Sequence, residues 1–185
     1  MAELMDWLLL VYKVPTEPAR KRTFIWRKLK SLGAIYLQQA VALLPSRTEV
    51  EQELEALAAR IREFEGEVTL LRTRSMSEVW ETDVIQRFSQ ARDEEYREAT
   101  DVARRLVDEL ERESAAGKFT FAELEENEEG LESLKRWLAR VHERDFFDAP
   151  ERPAAEEALE QLTTRLQDFA QHVYKQANQS EEESA

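Results

Sequence analysis

Along this chain the spacing of apolar residues changes character several times, and each change marks an element. Trp7-Leu8-Leu9-Leu10-Val11-Tyr12 is an unbroken apolar run stopped by Pro15, the pattern of a strand covered on both faces. Beyond Pro18, which suits a first helical turn that Thr16 or Glu17 can cap, Ala19, Trp26, Leu29 and Leu32 recur at helical spacing until Gly33. Ile35, Leu37, Val41 and Leu43 then alternate around Gln38-Gln39 before Pro45, giving two paired strands or one bent strand. Val50, Leu54, Leu57, Ile61 and Phe64 form a helical stripe that ends at Gly66. Ser46 with Glu49, or Thr48 with Glu51, supplies a capping box at its start. Val68, Leu70 and Leu71, within residues 67–74, make a further strand. Two strand-helix-strand halves in succession predict an α+β fold that begins with a ferredoxin-like βαββαβ sandwich over residues 5–75, its antiparallel sheet carrying both helices on one face.

After Thr82 the pattern is helical throughout. Phe88, Tyr96, Ala99, Val102, Leu106 and Leu110 share one stripe that runs to Gly117. Phe119-Thr120-Phe121 links it to a second helix marked by Leu124, Leu131, Leu134, Trp137, Leu138 and Val141, whose middle Gly130 weakens. Past Pro150 and Pro153, the near-heptad stripe Ala155, Leu159, Leu162, Leu166, Phe169 and Val173 gives a third helix, packed on the two before it. Residues 76–175 therefore read as a bundle of about three long helices, and residues 176–185 as a frayed, disordered acidic tail.

Composition narrows the chemistry. None of the 185 residues is cysteine, which removes disulfides, thiolate metal ligands and thiol nucleophiles. His142 and His172 are the two imidazoles, and neither lies in an HExxH motif or beside a second ligand, so no metal is expected. The apolar run near the start is too short to span a membrane and lacks a signal-peptide layout, so a cytoplasmic location with no membrane partner is expected. No nucleophile elbow, glycine-rich phosphate loop or cofactor motif is present, and a role without catalysis or cofactor follows as an expectation.

Charge is what singles out a candidate site. The chain carries −13 overall, yet residues 13–47 hold eight basic side chains against Glu17 alone, leaving −20 for the remainder. Lys13, Arg20, Lys21, Arg22, Arg27 and Lys28 lie at a strand end and along the helix after it, where guanidinium forks and helix N-terminal amides suit a tetrahedral oxyanion or a phosphate. The bland alternative is a solvated helix face or a set of partners for acidic helices. DNA binding by this module alone is disfavoured, because the surrounding negative charge repels a duplex unless dimerisation gathers the basic faces. Glu123, Glu125, Glu126, Glu128 and Glu129 read as helix-dipole complements rather than as a cation site. Trp7, Trp26, Trp80, Trp137, Tyr36, Tyr96 and Phe24 read as packing residues.

The segments WLLLVYKVPTEPARKRTFIWRKLKSLGAIYLQQAVALLP (residues 7–45) and FTFAELEENEEGLESLKRWLARVHERDFF (residues 119–147), with the closing helix through Val173-Tyr174, resemble the N-terminal domain of the ChrB chromate-resistance family over nearly the whole chain. That resemblance implies a part in bacterial chromate resistance, in a family whose members regulate a chromate efflux operon in response to chromate. Longer members carry a further C-terminal domain, so this sequence is expected to supply the N-terminal module only. At the level of fold alone, the first half is similar to the small ferredoxin-like domain of PaaX-type repressors and CRISPR-associated Cas2 proteins. Cas2-like nucleases place an aspartate at the end of the first strand, where this chain has Val11-Tyr12-Lys13, so nuclease activity is not expected. The combined expectation is a regulatory or sensory module binding chromate or another oxyanion at the six basic residues, as a homodimer. Its competitor is a noncatalytic interaction scaffold that uses the sheet edge and long helices to self-associate.

Overall fold

The computed structural model describes residues 4–182, with side chains through residue 179. It is α+β and mostly helical, with a four-stranded antiparallel sheet and five helices among the described residues. In chain order these are β1 (Asp6–Lys13), α1 (Ala19–Ser31), β2 (Ile35–Gln38), β3 (Val41–Pro45), α2 (Thr48–Glu63), β4 (Glu67–Arg74), α3 (Glu78–Ala115), α4 (Phe121–Glu143) and α5 (Arg152–Glu182). The spatial strand order is β2-β3-β1-β4. Residues 38–41 thus form a hairpin between separate strands rather than one bent strand, with Ala40 at a positive φ of 62° in its turn.

The chain divides into two compact units, one of Met1–Gln90 with Arg144–Phe147 and one of Ala91–Glu143 with Asp148–Ala185. In the first, side chains alternate across the sheet as the pleat requires. Leu8, Leu10, Ala42 and Leu44 face Ile25 and Leu29 of α1 and Val50, Leu54, Leu57 and Ile61 of α2. Trp7, Ile35 and Leu43 project to the other side, where Val84 and Phe88 of α3, with Phe146 and Phe147, close a second, aromatic cluster. Trp7 stacks on Phe88 at 5.8 Å. The apolar run of β1 is therefore explained by burial on both faces, and a sheet unit expected to end at residue 75 extends to Gln90 because the first turns of α3 cover that second face.

The second unit is built from the rest of α3 with α4 and α5, packed through Tyr96, Ala99, Ala103 and Leu110, through Leu124, Leu131, Leu134 and Leu138, and through Ala155, Leu162, Leu166, Phe169 and Val173. Gly130 has a packing role, since a Cβ there would lie 3.2 Å from a Leu106 methyl. Two local expectations need correction. Neither capping box forms: Arg47 occupies the N-cap of α2 and makes no side-chain cap hydrogen bond, so Ser46 and Thr48 sit one position to either side of it. Residues 176–182, expected to be frayed tail, continue α5; residues 183–185 lie outside the described residues.

Candidate functional site

Helix α1 reads ARKRTFIWRKLKS and contains no acidic residue. Its inner face is narrow. Ile25 and Leu29 are fully buried against the sheet and α2, and Lys21 and Lys28 flank them with partly covered stems. Lys21 donates from Nζ to the Phe64 carbonyl at 3.2 Å and lies 4.0 Å from Glu65, so its charge serves the C-terminal end of α2, where cations complement the dipole. Lys28 forms an ion pair with Glu53 of α2. Two of the six basic residues singled out by the sequence are thus already engaged within the fold.

The other four are exposed and make no ion pair among the described residues. Arg20 and Arg27 stand two turns apart at the centre of the outer face of α1. With Thr23, Phe24, Lys28 and Ser31 they line an open groove of about 570 Å³. Arg22 projects from the flank of the helix outside that lining, and Lys13 lies at the end of β1. The structure therefore gathers Arg20, Arg27 and Lys28, and leaves Lys13, Lys21 and Arg22 apart. The hydroxyls in the groove point their protons elsewhere: Thr23 donates to the Ala19 carbonyl at 3.2 Å and Ser31 to the Lys28 carbonyl at 2.8 Å. An anion in the groove is consequently met by two guanidinium forks and by an ammonium it must share with Glu53.

Two aromatic residues expected to pack are instead on this outer surface. Trp26 is 49% and Phe24 45% exposed. Trp26 carries Lys30 over its ring at 5.4 Å, and Phe24 meets Phe64 edge-on at 5.8 Å. The helical stripe through Trp26 is offset by one residue from the true one, which passes through Ile25. A helix laid on a sheet buries about one side chain per turn, and Ile25 takes that place. Lys30, Thr23 and Ser31 are neighbours that residue type alone did not single out.

The remaining candidates lie outside the groove on α1. Glu125, Glu126, Glu128 and Glu129 are exposed on α4, and no group of three or more His, Cys, Asp or Glu side chains among the described residues is arranged to hold a metal ion. Glu123 neighbours Glu113 of α3, whose carboxyl is pushed above its ordinary range first by burial and then by that neighbouring carboxylate. His172 lies over Phe119 at 5.1 Å, with its Nδ1 2.8 Å from the Asp168 carbonyl oxygen, and His142 is exposed. Tyr12 and Tyr36 share a hydroxyl hydrogen bond of 3.1 Å beneath α1 and α2, and burial raises the Tyr36 phenol. No helix among the described residues is long and apolar enough to cross a membrane.

The charge divides sharply between the units. The sheet unit holds 14 basic and 14 acidic residues, the helical unit 12 basic and 25 acidic, so the whole −13 belongs to the helices and the basic face of α1 lies on a neutral unit.

The family model for the N-terminal region of Protein ChrB matches residues 22–180, a stretch that includes Arg22, Arg27 and Lys28 and begins after Lys13, Arg20 and Lys21. Protein ChrB of Cupriavidus metallidurans (strain CH34) is 33% identical over 77 residues, which is 42% of this chain and 24% of that relative. The match therefore spans about a quarter of the length of the curated relative. No solved structure matches the chain. With 159 of its 185 residues covered by the family model, the chain belongs to the ChrB N-terminal family.

Proposed function

We propose that this chain is a noncatalytic, cytoplasmic regulatory module of bacterial chromate resistance that holds a tetrahedral oxyanion, chromate in the first instance, in the groove on α1. The observation that carries the reading is the juxtaposition of Arg20 and Arg27, two guanidinium groups with no acidic partner among the described residues, on a helix that has no acid of its own. Family membership supports the link to chromate resistance. We also read residues 5–75 as a ferredoxin-like sandwich, since the order βαββαβ and the sheet order β2-β3-β1-β4 support it.

Chromate is a dianion, and a forked guanidinium offers it two parallel donors where an ammonium offers a point charge. Arg20 and Arg27 therefore carry the interaction, with Lys28 secondary because Glu53 competes for it. Lys13, Lys21 and Arg22 add long-range field only. The test is the thermal midpoint of the protein against rising chromate or sulfate at constant ionic strength. A bound anion stabilises the native state by about 2.7 kcal/mol at a hundredfold excess over its dissociation constant. The midpoint should climb with chromate in the unmodified chain and stay level in Arg20→Ala/Arg27→Ala. An equal climb in that variant would overturn the assignment.

A further inference from the structure

The groove on α1 is larger than an oxyanion needs. A tetrahedral oxyanion is a few water molecules in size, at about 30 Å³ of liquid volume each, and fills a minor part of the 570 Å³ available. A groove of that volume suits a small organic molecule.

Its lining is also more than basic. Phe24 lies between the two arginines along the helix, four residues after Arg20 and three before Arg27. At a rise of about 1.5 Å per residue, it stands about 6 Å from the first and about 4.5 Å from the second along the axis. The ring is 45% exposed. It meets Phe64 edge-on at 5.8 Å, and no cation lies over it among the described residues. Trp26, outside the lining, already carries Lys30 over its ring. The two hydroxyls add a further requirement. Thr23 and Ser31 give their protons to helix carbonyls, at 3.2 and 2.8 Å, and keep only acceptor capacity for a ligand. A bare dianion has no proton to offer them, whereas an organic group with O–H or N–H donors has.

We propose that the groove takes a phosphate monoester borne by a flat, hydrogen-bonding organic group, in chemical class a nucleoside monophosphate, with its phosphate on Arg20 and Arg27 and its base against Phe24. This inference deepens the reading of the two arginines as an oxyanion site and rests on it. A phosphate monoester carries close to two negative charges at neutral pH, and its three terminal oxygens suit two guanidinium forks, where a carboxylate has two oxygens for one fork. Every base has a π-face to lay on an aromatic ring, a contact worth roughly tenfold or more in affinity. Sugar and base donors then meet the Thr23 and Ser31 oxygens. Chromate shares only the phosphate end of this ligand.

Calorimetric titration of the full chain at constant ionic strength tests it, with adenosine 5′-monophosphate, ribose 5-phosphate and chromate as probes and circular dichroism to confirm folding of each variant. The nucleotide should bind at least about tenfold more tightly than ribose 5-phosphate, which lacks the base. Phe24→Leu keeps an apolar side chain against Phe64 and removes the ring, so nucleotide affinity should fall to that of ribose 5-phosphate while ribose 5-phosphate and chromate are unaffected. Phe24→Tyr should keep the preference, and Arg20→Ala/Arg27→Ala should lose all three anions. Equal affinity for the two phosphates, or a preference that survives Phe24→Leu, overturns the proposal. Chromate bound through the two arginines alongside equal phosphate affinities strikes this inference and leaves the oxyanion reading standing. A Phe24-dependent preference without chromate binding supports this inference and strikes the assignment of chromate.

Discussion

Trp7 and Gly66 illustrate how single residues tie the sheet unit together. Trp7 is fully buried, and its indole Nε1–H donates to Oε1 of Glu81 at 3.1 Å, the same oxygen that accepts the Met5 backbone N–H at 2.7 Å. One carboxylate near the start of α3 thus satisfies two donors of β1 and its approach. Leaving a buried donor unmet costs about 1–3 kcal/mol, so Glu81→Ala should destabilise the protein by roughly 2–4 kcal/mol, and Glu81→Gln, which keeps an acceptor, by less. Chemical denaturation of the three proteins checks the order. Gly66 lies where the end of α2 meets the end of β1, and a Cβ there would stand 2.7 Å from the Lys13 carbonyl oxygen and under 3 Å from Val14 and Ile61 side chains. Because a backbone oxygen cannot step aside as a flexible side chain can, Gly66→Ala should cost more than about 2 kcal/mol, read as a drop in the thermal midpoint. The sequence marked Gly66 as a helix stop and gave no sign of this close approach, which depends on two segments distant along the chain.

At the scale of elements, strand and helix identities were legible because burial imposes their periods: β1 from its unbroken apolar run, α2 from its five-residue stripe, α3 to α5 from stripes that share one core. What was not legible is which neighbour covers which face. Trp26 and Phe24 looked like core by residue type, but α1 rests on Ile25 and Leu29 and leaves them in solvent. The six basic residues of the candidate site were visible as a cluster in sequence. Only the packing of α1 on α2 separates Lys21 and Lys28, held by Glu65 and Glu53, from Arg20 and Arg27, which have no ion-pair partner among the described residues. The α3–α4 junction adds a consequence for pH. Glu113 and Glu123 are neighbours, and Asn127 donates to Glu113 at 3.2 Å and to the Glu123 carbonyl at 2.8 Å. Since the folded state raises the Glu113 carboxyl above its ordinary range, folding favours its protonated form. The stability this gives is fully present below the unfolded value and is lost as pH rises through the folded one. Glu113→Gln should therefore flatten the decline in the thermal midpoint between acid and neutral pH and raise it at neutral pH, by the few tenths of a kcal/mol typical of like-charge helix neighbours. A decline equally steep in the variant would assign the effect to other groups.

For the whole molecule, the division of charge is the feature that bears most on function. A neutral sheet unit presents an acid-free helix, and the helical unit carries the entire −13. Net charge alone argued against broad nucleic-acid binding, whereas the division leaves a local positive field on the sheet unit that suits a small oxyanion. The central claim is that Arg20 and Arg27 bind that anion, and calorimetric titration addresses it most directly: chromate and sulfate in turn, at low salt, against the unmodified chain, Arg20→Ala/Arg27→Ala and, as a control outside the groove, Arg22→Ala. The account predicts heat with chromate that exceeds heat with sulfate, survives in Arg22→Ala and disappears in the double variant. No heat with either anion, or heat of equal size in all three proteins, would contradict it.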